Sequence, residues 1–151
     1  MINKIKIAVI GATGFTGLDL VYYLSRHPKV KITNLCATKN LGKKISLFDR
    51  RLKKTLPKIS SVKKINWNEI NLVFLSLPNG EAQKIIKQVY YKYQHLKFID
   101  LSADFRIVDP KVYLKNYKIN HKAKKLIKDS IYAISEFNRK KIKNYRIISN
   151  P

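Results

Sequence analysis

The sequence predicts an α/β fold built on a doubly wound parallel sheet, and two observations carry that prediction. Short runs of apolar and β-branched residues alternate along the chain with amphipathic stretches at helical spacing. The first such run, Lys4 to Ile10, meets Gly11-Ala12-Thr13-Gly14-Phe15-Thr16-Gly17, a Gly-x-x-Gly-x-x-Gly turn that opens at once into an amphipathic stretch. A buried parallel strand, a tight glycine turn and the start of a helix form the order required to place a dinucleotide pyrophosphate on helix N–H groups. The fold class is therefore Rossmann-like.

The elements follow in order. Lys4 to Ile10 is nearly all apolar, as a strand covered on both faces should be. Phe15 to His27 carries Leu18, Val21, Tyr22 and Leu24 on one helical side, and Pro28 ends it. Val30 to Ala37 is the second strand. The lysine-rich stretch Lys39 to Lys58 is mostly loop, with a short element around Ile45 to Leu52, and Val62 to Ile65 reads as a short strand. Asn71 to Leu77 is a strong strand ended by Pro78-Asn79-Gly80. Glu81 to Tyr93 is a helix with Ala82, Ile85, Ile86 and Val89 inward, and Leu96 to Leu101 is a further strand. Lys111 to Tyr117 and His121 to Ile127 read as short helices, Ile131 to Ile134 as a strand, and Arg146 to Ser149 as one more apolar run. No internal repeat or low-complexity linker interrupts the pattern.

Composition narrows the function classes. The 151 residues are 45% hydrophobic and 27% charged, one globular domain's worth. No apolar run approaches the roughly 20 residues of a membrane helix, and Met1-Ile2-Asn3-Lys4-Ile5 does not read as a signal peptide. A single cysteine excludes an internal disulfide and fits a reducing compartment, so the expected location is the cytoplasm. The net charge of +23 raises a nucleic-acid or other polyanion reading. Against it, the cations are mostly lysines spread along the whole length, and asparagine, isoleucine and tyrosine are abundant while glycine and proline are scarce. That joint skew fits AT-rich codon choice. His27, His95 and His121 show no ligand spacing, so no metal site is expected.

Three stretches carry chemistry. The residues closing the second strand, Cys36-Ala37-Thr38-Lys39-Asn40, lack the acid that an NAD site places against the ribose 2′-hydroxyl. A hydroxyl and a cation there favour NADP, with Lys39 as one more solvated lysine the alternative. Cys36, inside an apolar strand, reads as a small buried filler. Pro78 and Gly80 either make a simple turn or let the backbone pass close to a cofactor. Asp100-Leu101-Ser102-Ala103-Asp104-Phe105-Arg106 leaves a strand with a hydroxyl, carboxylates and one of the few arginines. Arg106 either clamps a carboxylate or phosphate or closes a structural Asp–Arg pair.

These residues closely resemble the N-acetyl-gamma-glutamyl-phosphate reductase family. The nucleotide loop Gly11 to Gly17, Arg26-His27-Pro28, Val73 to Gly80 and Tyr132-Ala133-Ile134-Ser135-Glu136-Phe137-Asn138 all resemble family segments, in order. Asp100 to Arg106 is the most specific match, and Ser149-Asn150-Pro151 looks like the beginning of the segment bearing the family's catalytic cysteine. Asn79, Ala133 and Ser135 replace the family's more usual His, Gly and Pro. The resemblance implies NADPH-dependent reduction of N-acetyl-glutamyl 5-phosphate to the 5-semialdehyde and phosphate through a cysteine thioester, a step of arginine biosynthesis. It further implies a pyrophosphate cradle of Gly11, Thr13, Gly14, Phe15, Thr16 and Gly17. A 2′-phosphate site at Thr38 and Lys39 follows, with Pro78 bordering the nicotinamide and Ser102 and Arg106 near the substrate phosphate.

On this resemblance residues 1–151 form an incomplete NADP-binding domain, truncated before the α+β substrate domain. The nucleophilic cysteine is expected just beyond Pro151, and the chain alone is expected to be inactive. The expected partner is a small-molecule acyl phosphate, with no nucleic acid and no membrane, and the full-length enzyme is expected to be a homo-oligomer. A non-catalytic NADP-binding fragment or remnant is the alternative reading, and a basic nucleic-acid module the second.

Overall fold

The computed structural model describes residues 4–151. Residues 1–3, on which part of the leader reading rests, lie outside the described residues. The chain divides into two compact units, one running to Ser76 and one beginning at Leu77.

The first unit holds four parallel strands, β1 (Ile5–Ile10), β2 (Val30–Cys36), β3 (Ile59–Ser60) and β4 (Leu72–Leu75), in the order β3-β2-β1-β4. Ile7 to Ile10 of β1 are fully covered, as an inner strand flanked on both sides must be. The helix α1 (Phe15–Arg26) crosses from β1 to β2 and turns Gly17 and Val21 inward. It ends at His27, whose backbone N–H donates to Leu24 O, immediately before Pro28. Between β1 and β2 the register slips at Ile7 and Ala8, leaving Thr33 as the extra residue. The Thr33 hydroxyl donates to Ile7 O at 3.0 Å and occupies the backbone acceptor the slip exposes.

Two sequence expectations change here. The strand expected at Val62 to Ile65 is a 3₁₀ turn over Val62–Lys64, because the Ser61 side chain accepts from Lys63 N and starts a helical turn. The strand lies just before it, where Ile59 and Ser60 pair with Leu35 and Cys36. The element expected around Ile45 to Leu52 shrinks to a 3₁₀ turn at Ile45–Leu47.

The second unit holds β5 (Lys97–Asp100), β6 (Ser130–Tyr132) and β7 (Ile147–Ser149), parallel and in the order β5-β7-β6. Its helices are α2 (Glu81–Val89), α3 (Pro110–Tyr117) and α4 (Ser135–Asn138). The α2 stripe is Ala82, Gln83, Ile86 and Val89, with Gln83 taking a buried place that apolar periodicity does not indicate. The helix stops short of the expected Tyr93. Arg146 explains the ending: its guanidinium donates to Tyr90 O, Tyr93 O and Leu96 O at 2.9, 3.0 and 3.2 Å and lies 3.8 Å over the Tyr90 ring. A cation on the last carbonyls of a helix is the favourable end for its dipole. The expected helix at His121 to Ile127 begins later, as a 3₁₀ run over Lys124–Asp129, and α4 was not foreseen. Among the described residues no helix is long and apolar enough to cross a membrane.

Candidate functional site

In the first unit the glycine loop is fastened to the end of β2 by one carbonyl. Cys36 O accepts from both Gly11 N and Ala12 N, at 2.9 and 3.1 Å. Gly11 holds φ 86°, a left-handed value that a side chain rarely tolerates. The first turn of α1 then packs so tightly that a Cβ on Gly17 would sit 2.1 Å from Gly11 O. Gly14 is the N-cap of α1 with no side-chain cap, and no acidic residue lies in the first turn. The leading amides of α1 thus receive no capping side chain, and no carboxylate stands there to repel an anion. Phe15 (95% exposed) and Thr16 stand outward, and Thr13 is half-buried. This geometry fits a pyrophosphate by backbone approach.

Thr38 and Lys39 follow β2 directly and are exposed, so the Cys36 carbonyl brings them to the same end of the sheet as the glycine loop. No carboxylate occupies residues 36–40. Beyond them Asn40 adopts φ 63° and accepts from Lys43 Nζ at 3.0 Å, which shapes the loop without engaging Lys39. Cys36 itself is fully covered, 3.7 Å from the Ser60 hydroxyl, and burial pushes its thiol pKa up. Its burial in an apolar strand fits a packing role and disfavours the thiolate.

The remaining sequence-predicted residues, Pro78, Ser102 and Arg106, belong to the second unit. Pro78 is exposed in the loop that leads to Gly80, the N-cap of α2. Two fully buried carboxylates organise this unit, and sequence reading did not separate their roles. Asp100 accepts from Ser102 N and Phe105 N at 2.9 Å each and from the Ser102 hydroxyl, with the Ser149 hydroxyl at 3.4 Å. Burial raises its pKa, and those donors counter the rise. The Ser102 hydroxyl proton is therefore committed to Asp100.

Asp104 accepts from Gly80 N at 2.6 Å, Gln83 N at 3.0 Å and the Tyr113 hydroxyl at 2.7 Å. It caps α2 from outside the helix, supplying the side-chain oxygen that Gly80 cannot. Gln83 Nε2 donates to the Tyr113 hydroxyl, and its Oε1 accepts from Lys122 N. Burial, together with the neighbouring Asp104, drives the Tyr113 pKa upward. His121 Nδ1 accepts from Ala123 N at 3.1 Å while Nε2 donates to Asp104 O at 2.8 Å, an arrangement that requires the neutral ring. Burial accordingly lowers its pKa.

A structural Asp–Arg pair is not what forms. Both carboxylates are engaged elsewhere, and Arg106 lies with its Nε buried and unbonded and its guanidinium carbon 5.3 Å from the Tyr132 ring centroid. A helix opening on Gly80-Glu81 brings no side-chain cap of its own, and no local signal in the sequence names Asp104 as the residue that supplies one. Among the described residues no cluster of His, Cys, Asp and Glu is arranged to hold a metal.

The family model for the semialdehyde dehydrogenase NAD-binding domain matches residues 6–145. The chain belongs to that family. The N-acetyl-gamma-glutamyl-phosphate reductase of Afipia carboxidovorans is 38% identical to this semialdehyde dehydrogenase domain over 154 residues, covering all of this chain and 44% of that protein. The probable chloroplastic N-acetyl-gamma-glutamyl-phosphate reductase of Oryza sativa is 36% identical over 150 residues, covering 99% of this chain and 35% of its own length. The chain thus spans less than half the length of these relatives. Among solved structures, aspartate semialdehyde dehydrogenase II of Vibrio cholerae complexed with ASA superposes with a TM-score of 0.64 at 16% identity, covering 99% of this chain and 42% of that one. Aspartate semialdehyde dehydrogenase with NADP from Candida albicans superposes at 0.56 and 18% identity, covering 97% and 42%. These two likenesses establish the fold.

Proposed function

We propose that this chain is the NADP-binding part of an N-acetyl-gamma-glutamyl-phosphate reductase of arginine biosynthesis, acting in the cytoplasm within a homo-oligomeric full-length enzyme. The observation that carries the reading is the glycine loop. Gly11 in a left-handed turn, Gly17 packed under Gly11 O and an uncapped α1 N-terminus make a backbone anion cradle, with Thr38 and Lys39 in place of a ribose-binding acid. Gly11, Thr13, Gly14, Phe15, Thr16 and Gly17 hold the pyrophosphate; Thr38 and Lys39 hold the 2′-phosphate. Pro78 borders the nicotinamide, which supplies the hydride when bound. Arg106 contacts the substrate phosphate, with Ser102 fixing the turn that presents it.

The acyl-accepting thiol is not Cys36, because that side chain is buried with a raised pKa. Residues 1–151 therefore bind cofactor without turning over acyl phosphate. A fluorescence titration of the purified chain with NADPH tests this, together with an assay of NADPH oxidation in the presence of N-acetyl-glutamyl 5-phosphate. Saturable NADPH binding with no oxidation is expected. Failure to bind NADPH overturns the cofactor assignment, and phosphate-releasing oxidation overturns the assignment of Cys36 as a filler.

A further inference from the structure

The three strands of the second unit share a rung at their carboxyl ends. Asp100 of β5 lies opposite Ser149 of β7, and Ser149 lies opposite Tyr132 of β6. The rung is pinned on both sides, with Asn150 N donating to Asp100 O at 2.9 Å and Ala133 N to Ser149 O at 3.0 Å. Neighbouring strands stand about 4.8 Å apart, so Tyr132 is about 10 Å across the sheet from Asp100.

The loop after Asp100 spans that gap. The Asp100 carboxylate collects Ser102 N and Phe105 N, and the turn they form forces Ala103 to φ 66°, a left-handed conformation costly for a residue with a Cβ. Arg106 N closes the turn on Ala103 O at 3.3 Å. Arg106 emerges from this held turn with its guanidinium over the Tyr132 ring and its Nε buried without a hydrogen-bond partner. The two buried carboxylates of the same loop are saturated by other donors, and none of the ion pairs among the described residues includes Arg106. The negative face of the ring attracts the cation without using any of its N–H donors, so the terminal Nη groups stay available to an incoming oxyanion.

We propose that Tyr132 is a positioning residue for Arg106, whose ring holds the guanidinium so that its terminal Nη donors meet a phosphate oxygen. The inference rests on the reading of Arg106 as the substrate-phosphate contact and adds the residue that orients it. Tyr132 is 47% exposed on the edge strand β6, so removing its ring does not empty a core.

The test is an NMR titration of the full chain with inorganic phosphate, following the Arg106 Nε–H resonance, with thermal melting alongside. The wild-type resonance is expected to move saturably, and Arg106→Lys to remove the signal and weaken binding. Tyr132→Phe should titrate like the wild type, because the ring face is kept. Tyr132→Leu should melt like the wild type yet bind phosphate about threefold or more weakly, the scale of one cation–π contact. A Tyr132→Leu chain that titrates normally overturns the inference while leaving the Arg106 reading intact. Weakened binding in Tyr132→Phe overturns it too, because the hydroxyl would then be the active feature. A wild-type Arg106 resonance indifferent to phosphate overturns both.

Discussion

The glycine loop of the first unit and the Asp100–Arg106 turn of the second both shape backbone at a strand end, but with opposite materials. The first uses absences: no Cβ at Gly11 or Gly17, no side-chain cap on α1 and no carboxylate after β2. The second uses buried side chains, with Asp100 and Asp104 each gathering donors from distant residues. A site built from absences has nothing to titrate and fails when atoms are added. A site built from buried carboxylates fails when atoms are removed, and it responds to pH.

The largest expected effect is at Gly17. In Gly17→Ala the new Cβ would stand 2.1 Å from a backbone oxygen, so α1 must shift, at a cost of about 2 kcal/mol or more. NADPH titration and thermal melting should show binding lost and the melting temperature lowered together. Normal binding by this variant would break the account of the loop.

Asp104→Ala comes next. It strips the acceptor from Gly80 N, Gln83 N and the Tyr113 hydroxyl, and leaving buried donors unmade costs about 2–4 kcal/mol in urea unfolding. Tyr113→Phe leaves both α2 amides on Asp104, removing one of its three donors and the acceptor of Gln83 Nε2, and should cost less, about 1–2 kcal/mol. If the two variants were equally stable, Asp104 would not be the cap of α2.

The pH response separates the regions most cleanly. The folded pKa of His121 lies below its ordinary value of 6.5. Its contribution is therefore fully present above 6.5 and is lost as pH falls toward and through the folded value. Amide exchange, expressed as protection relative to the unfolded chain, should fall at Ala123 below about pH 6.5. Gly11 and Ala12, bonded to Cys36 O, should keep theirs. Asp100 has the opposite sign: its raised pKa means stability declines as pH rises from the unfolded carboxylate value through the folded one. Asp100→Asn should flatten that decline in urea unfolding.

How much was legible follows from the same contrast. Most strands and α1 were readable because local apolar periodicity decides them, and the glycine turn between β1 and α1 because glycine spacing is itself a local signal. The turn at Val62 was misread because Ser61 competes through its own side chain, which periodicity does not register. The roles of Asp100, Asp104 and Arg106 were unreadable in detail because their partners, Gly80, Tyr113 and Tyr132, are set by tertiary packing. From sequence, a clamp and an Asp–Arg pair looked equally good for Arg106. Only the occupied carboxylates remove the second.

The central claim is that the first unit presents a cradle for a 2′-phosphorylated dinucleotide. Its most direct test is the ratio of NADH to NADPH dissociation constants, measured for the wild type and for Lys39→Ala, a change on an exposed side chain that leaves the loop intact. The account predicts a wild-type preference for NADPH of about tenfold or more, falling toward equality in the variant as a charge-assisted contact of about 1.5–3 kcal/mol is lost. Equal binding of the two cofactors by the wild type would contradict it.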